Sequence, residues 1–147
     1  MQRTENYMVM EFLSRSSNES FARTAVATFA AQLDPTLDEI GDIKTAVSEA
    51  VTNSIVHGYP KGTEGEIELV GEIFDDTLHI NVFDYGVGIK DVNEALEPFF
   101  TTKECDERSG MGFTIMESFM DGLTVRSKPG RGTTVTLRKV LQARPQV

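Results

Sequence analysis

The sequence predicts an α/β fold of two layers, with helices covering one face of a mixed β-sheet. Three observations point there. Apolar residues recur at three- and four-residue spacing over two consecutive segments, then switch to strand-like runs from Glu66 onward. A stretch without strong periodicity, Ile89 to Ser109, separates those runs from a last helix. Two further strand-like runs then flank Pro129-Gly130-Arg131-Gly132, giving the order β-α-α-β-β, irregular segment, α-β-β. At 147 residues the chain reads as one domain, 1–147, long enough to bury a single core.

Each element has its own warrant. Tyr7 to Leu13 is rich in apolar and aromatic types and reads as a first strand. From Asn18 to Leu33 the positions Phe21, Ala25, Val26, Phe29, Ala30 and Leu33 form one helical stripe, which Asp34-Pro35 breaks. Thr36 and Glu39 have the spacing of a capping box and should open a second helix with the inner face Leu37, Ile40, Ile43, Val47, Ala50, Val51 and Ile55. Its end is expected near His57-Gly58, with Gly58 left-handed. Glu66 to Phe74 and Thr77 to Asp84, joined at Asp75-Asp76, read as a hairpin. Asp91 to Leu96 is a short helical candidate, and Met111 to Met120 a buried helix ended by Asp121-Gly122. Leu123 to Ser127 and Thr133 to Lys139 are the last strands.

Composition excludes several classes of function. The balance of 14 Lys and Arg against 23 Asp and Glu gives a net charge of −9, which repels a nucleic-acid backbone, although a local basic patch can still meet an acidic partner. Cys105 is the only cysteine, so no intrachain disulfide forms and no zinc-type Cys/His spacing exists. A reducing, cytoplasmic setting follows as the expectation. No apolar run reaches the roughly 18 to 20 residues that span a bilayer, and the N-terminus lacks a signal-cleavage pattern.

Three short patterns carry the chemistry. Glu49 and Asn53 stand four residues apart on the second helix and share a face. A carboxylate there can act as a general base and an Asn amide oxygen can ligate Mg²⁺, but solvated Glu and Asn at this spacing are common. Asp84-Tyr85-Gly86-Val87-Gly88 follows a strand, where a buried acid can accept from an exocyclic amine of adenine and the glycines let the backbone turn beside a ligand. An Asx turn explains the same letters. Gly110-Met111-Gly112-Phe113 opens a helix whose free N–H groups suit phosphate, or is simply a glycine-rich helix start.

The order of these three patterns resembles the N-box and the two glycine boxes of the GHKL ATPases, over nearly the whole chain. That resemblance implies a Bergerat α/β sandwich with a lid over about 89–109. It implies that Asp84 reads adenine, that Asn53 holds Mg²⁺ against the phosphates of ATP or ADP, that Gly86 and Gly88 shape the pocket, and that Gly110 and Gly112 cradle the phosphates. Ser109, Met111 and Phe113 belong to the same phosphate turn, Thr101 and Lys103 are nucleotide candidates in the lid, and the hydroxyl of Thr133 is placed near the adenine. Lys103 reads equally as a solubilising lysine and Thr133 as an ordinary strand residue.

Within the superfamily the chain resembles the small anti-sigma factor serine kinases of bacterial sporulation. The matching stretches are Ser20-Phe21-Ala22-Arg23, Val47 to Asn53, Phe100-Thr101-Thr102-Lys103 and Glu107 to Glu117. The resemblance implies a homodimeric kinase that phosphorylates a serine of an anti-anti-sigma partner and, in another complex, holds a sigma factor away from RNA polymerase. Glu49 is the candidate base, Arg23 corresponds to a partner-contacting arginine, and Arg108 serves either the γ-phosphate or the partner. The alternative is a module that binds nucleotide and sigma factor without significant phosphoryl transfer.

Overall fold

A computed structural model of the protein describes residues 5–96 and 111–141. Strand β1 (Asn6–Leu13) leads into helix α1 (Ser17–Ala30), which tightens into a 3₁₀ turn at Ala31–Leu33 and stops at Asp34, whose φ of 51° is left-handed. Helix α2 (Leu37–Asn53) then runs back along α1. Its capping box forms as the sequence predicts: Thr36 Oγ1 accepts from the Glu39 N–H at 3.0 Å, and Glu39 Oε1 accepts from the Thr36 N–H at 2.8 Å. Strands β2 (Glu66–Phe74) and β3 (Thr77–Asp84) form the hairpin, with the turn at Asp75 in the left-handed region at φ 54°. A short helix α3 (Val92–Ala95) is capped by Asp91, and α4 (Gly112–Phe119), β4 (Gly122–Lys128) and β5 (Gly132–Val140) complete the described chain.

The sheet order is β1-β2-β3-β5-β4, and every neighbouring pair is antiparallel rather than mixed as expected from the sequence. The reason lies in the connections. Two helices between β1 and β2 return the chain to the end it left, so β2 runs against β1. Strands β3 and β4 do run in the same direction, but β5 inserts between them and opposes both.

Alternation along β2, β3 and β5 sends Ile67, Leu69, Ile73, Leu78, Ile80, Val82, Val135 and Leu137 to one face. There they meet Ala22, Val26 and Phe29 of α1, the stripe Ile43, Ala46, Val47, Ala50 and Val51 of α2, and Phe113 and Met116 of α4. Each fully buried aliphatic side chain contributes roughly 1.5–3 kcal/mol relative to exposure. Ala46 and Ala50 are wholly buried, and their small side chains let α2 lie close to its neighbours, which fixes it as the central helix of the layer.

Three expected core positions lie outside that core. Leu37 is 91% exposed, Phe21 is 62% exposed, and Phe119 is also exposed. Leu37 occupies the first helical position of α2, more than a turn before the first fully buried residue, Ile43, so it overhangs the layer. Spacing identifies the inner face of a helix without showing where along its axis the neighbouring layer ends.

Candidate functional site

Helix α2 ends at Asn53 and widens into a π-helical turn over Ser54–Gly58, a local irregularity often found at functional sites. This turn lays Gly58 against the end of β3. A Cβ on Gly58 would stand 2.9 Å from Asp84 Cγ and 3.0 Å from both carboxylate oxygens. The glycine is therefore required by close approach to Asp84, and not by the left-handed backbone expected from the sequence, since Gly58 is not among the positive-φ residues.

Asp84 is only 4% exposed. Its Oδ1 accepts from the Gly86 N–H at 3.0 Å. Its Oδ2 and the nearby Ser54 Oγ are both buried and have no hydrogen-bond partner among the described residues. Burial raises the carboxyl pKa above its ordinary value, and the Gly86 N–H offsets part of the rise. An orphaned buried acceptor is costly, and a ligand N–H donor at this point would satisfy it.

The glycines after Asp84 are dictated by backbone. A Cβ on Gly86 would fall 1.9 Å from the Gly58 carbonyl oxygen, the same atom that accepts from the Val87 N–H at 2.9 Å. Gly88 has φ +77°, and a Cβ there would fall 2.1 Å from the Lys128 carbonyl oxygen. Further ties lock the loop. Tyr59 Oη donates to the Glu66 carbonyl at 2.7 Å and accepts from the Tyr85 N–H at 2.8 Å. Burial raises the Tyr59 pKa, so the phenol keeps the proton that this donation requires. Ser127 Oγ accepts from the Ile89 N–H at 2.7 Å and shares a hydrogen bond with Thr133 Oγ1 at 2.8 Å.

Of the sequence-predicted residues, the structure brings Gly86 and Thr133 to Asp84. Thr133 pairs in register with Asp84 across β3 and β5 and is 5% exposed. Met111 caps α4 with no side-chain hydrogen bond to the first turn, so among the described residues no cap occupies the opening N–H groups at Gly112 and Phe113. The Phe113 side chain is buried in the core, which leaves its backbone for any ligand contact. Glu49 and Asn53 share the face of α2 that leads to the π-helical turn. Arg23 and Glu49, separated widely in sequence, line one groove between α1 and α2. Thr101, Lys103, Arg108, Ser109 and Gly110, together with positions 97–109 of the expected lid, lie outside the described residues.

Sequence reasoning missed Ser54, Gly58 as a contact of Asp84, and Tyr59. The signal for Gly58 was present in the letters, but only the pairing of a helix end with a strand end gives it meaning. A cleft of about 540 Å³ opens at this end of β3 and β5, and Asp84, Tyr85, Ser127, Gly132 and Thr133 are among its lining residues. Phe83 and Thr134 alternate with the buried residues of their strands, so the cleft extends from the Asp84 end of the sheet onto the face away from the helices.

A helix layer on an antiparallel sheet, with a buried acid and two glycines at the end of β3, defines a nucleotide-binding α/β sandwich. The family described as "Histidine kinase-like ATPase domain" matches residues 13–139. An Anti-sigma F factor of Clostridium beijerinckii is 54% identical over 136 residues, covering 92% of this chain and 95% of that protein. One from Caldanaerobacter subterraneus is 57% identical, with 92% and 94% covered. The chain therefore belongs to the histidine kinase-like ATPase family and, within it, to the anti-sigma F factors. The fold also matches the crystal structure of the RsbU and RsbW domains of a Mycobacterium tuberculosis protein, with a TM-score of 0.66 at 19% identity, over 92% of this chain and 32% of that one. Among the described residues no helix is long and apolar enough to cross a membrane.

Proposed function

We propose that this protein binds ATP or ADP with Mg²⁺, phosphorylates a serine of an anti-anti-sigma protein, and captures a sigma factor in a separate, nucleotide-dependent complex. The single observation that supports it best is the orphaned Asp84 Oδ2, a buried acceptor in a cleft whose backbone excludes any side chain at Gly58, Gly86 and Gly88. Adenine presents an exocyclic amine, and that donor matches the unsatisfied oxygen. The printed names of the relatives supply the sigma-factor part of the reading.

Bound Mg²⁺-ATP supplies the transferable γ-phosphoryl group and neutralises charge on its oxygens. Asn53 offers a hard, neutral amide oxygen at the last position of α2, one turn beyond Glu49. Glu49 would take the proton of the acceptor serine hydroxyl as its oxygen bonds the γ-phosphorus and the bond to the β-phosphate breaks, releasing ADP. N–H groups at the start of α4 face developing negative charge, where the helix dipole adds to their effect. Arg108 and Lys103 remain candidates for phosphate or partner contact. The protein acts as a homodimer in the cytoplasm.

The test is transfer of labelled γ-phosphate from Mg²⁺-ATP to the cognate anti-anti-sigma protein by wild type and Glu49→Gln, with nucleotide binding measured in parallel. Transfer lost with binding retained supports Glu49 as the base. Tight ATP binding by the wild type with no transfer to a competent acceptor favours the sigma-binding module instead.

A further inference from the structure

The antiparallel ladder of β2 and β3 ends at the pair Ile67 and Asp84. The next rung would join Glu66 and Tyr85 directly, with the Tyr85 N–H donating to the Glu66 carbonyl. A phenol stands there instead. Tyr59 Oη accepts from the Tyr85 N–H at 2.8 Å and donates to the Glu66 carbonyl at 2.7 Å. One hydroxyl thus replaces the rung and holds the two strands apart at the residue after Asp84. A direct N–H···O bond spans about 2.9 Å, and two bonds through an intervening oxygen span considerably more.

The π-helical turn delivers Tyr59 to this point. Its N–H donates to the Ser54 carbonyl at 3.1 Å, the bond that closes the turn, and its backbone then leaves the helix at φ −123°. The ring lies on Gly65, where a Cβ would fall 2.2 Å from Tyr59 Cε1. Gly65 is not among the positive-φ residues, so the glycine makes room for the ring and not for an unusual backbone. The preceding Gly58 carbonyl accepts from the Val87 N–H at 2.9 Å. The loop after Asp84 is therefore pinned at Tyr85 and at Val87 by two consecutive residues of one turn. Between the pins lies Gly86, whose N–H holds Asp84 Oδ1, so the carboxylate follows the orientation of that peptide. Two pins stop the loop from rotating, whereas one pin alone leaves it free to pivot about Val87.

We propose that Tyr59 is a positioning residue for nucleobase recognition: its hydroxyl, standing in for a rung of the β2–β3 ladder, sets the angle at which Asp84 Oδ2 meets the exocyclic amine of adenine. This role rests on the reading of Asp84 as the adenine acceptor. Hydrogen bonds weaken steeply with misalignment, so a pivot of the loop costs the amine bond more than it costs contacts to the phosphates elsewhere in the site. Both bonds of the Tyr59 hydroxyl lie at exposed positions, where water can replace a lost partner, so the fold depends on them less than the alignment of Asp84 does.

The experiment compares, by calorimetry on the full chain with Mg²⁺, the binding of ADP and of purine riboside 5′-diphosphate, which carries hydrogen in place of the exocyclic amine. Wild type should prefer ADP by about 5- to 150-fold, the difference between a buried acceptor satisfied and left bare. Tyr59→Phe keeps the ring and removes the spacer. The preference for ADP should shrink about fivefold through loss of ADP affinity, with affinity for the analogue within about twofold of wild type and little change in Tm. Gly65→Ala displaces the ring by a different route, should shrink the same preference, and decides the matter if Tyr59→Phe does not fold. Equal weakening of both ligands marks a purely structural role and overturns the proposal. A wild type that binds the two ligands equally overturns the adenine reading of Asp84 and this role with it. A wild type that prefers ADP, with the preference undiminished in Tyr59→Phe and Gly65→Ala, overturns the role of Tyr59 alone.

Discussion

Replacing Asp84 by Asn tests the nucleotide site at the atom on which it depends. The carboxylate uses two acceptors: Oδ1 takes the Gly86 N–H at 3.0 Å, and Oδ2 is left for the ligand. An amide of the same shape has one acceptor and one donor. If its oxygen stays on Gly86, its NH₂ faces the ligand amine, and if it flips, its NH₂ faces the Gly86 N–H. Gly58 lies so close that a Cβ there would be 2.9 Å from Asp84 Cγ, which leaves the side chain little room to turn away. One unsatisfied donor at a buried site costs about 1.5–3 kcal/mol, so ADP affinity should fall about 10- to 150-fold by calorimetry. The free protein should respond oppositely. Burial raises the Asp84 pKa, so its contribution to stability is complete below the ordinary value of 3.8 and is lost as pH rises through the folded value. Asp84→Asn removes that neutral-pH penalty, and Tm without ligand should hold or rise. A variant that binds ADP as tightly as wild type, or one whose ligand-free Tm falls by many degrees, would refute the reasoning.

The same linkage predicts pH-dependent binding: a donating ligand favours the ionised carboxylate, so wild-type ADP affinity should decline as pH drops into the window above 3.8, and Asp84→Asn should flatten that profile. Gly86→Ala forces a Cβ to within 1.9 Å of the Gly58 carbonyl oxygen, a backbone atom, and should destabilise the protein by roughly 1–3 kcal/mol in urea unfolding; wild-type stability would mean the two loops are not in contact. Leu37→Glu should change stability by less than about 0.5 kcal/mol because the residue is 91% exposed at the start of α2, whereas a core leucine truncated to alanine would cost about 2–5 kcal/mol.

Local chemistry alone determined much of this protein. The capping box at Thr36 and Glu39, the hairpin at Asp75-Asp76 and the strand limits at Glu66, Phe74, Thr77 and Asp84 were legible because each rests on residues within a few positions of one another. The Asp84-Gly86-Gly88 pattern was legible too, as a buried acid followed by glycines that the backbone approaches closely. Tertiary structure decided what depends on approach between distant segments. That Gly58 and Gly132 are glycines for the sake of Asp84 appears only when a helix end and two strand ends meet: a Cβ on Gly132 would lie 2.0 Å from the Asp84 carbonyl oxygen. The opposed directions of the sheet strands came from the insertion of β5 between β3 and β4. The shared groove of Arg23 and Glu49 came from the pairing of α1 with α2. Side-chain period and turn chemistry act over one or two turns of chain, whereas burial and close contact are properties of the packed whole.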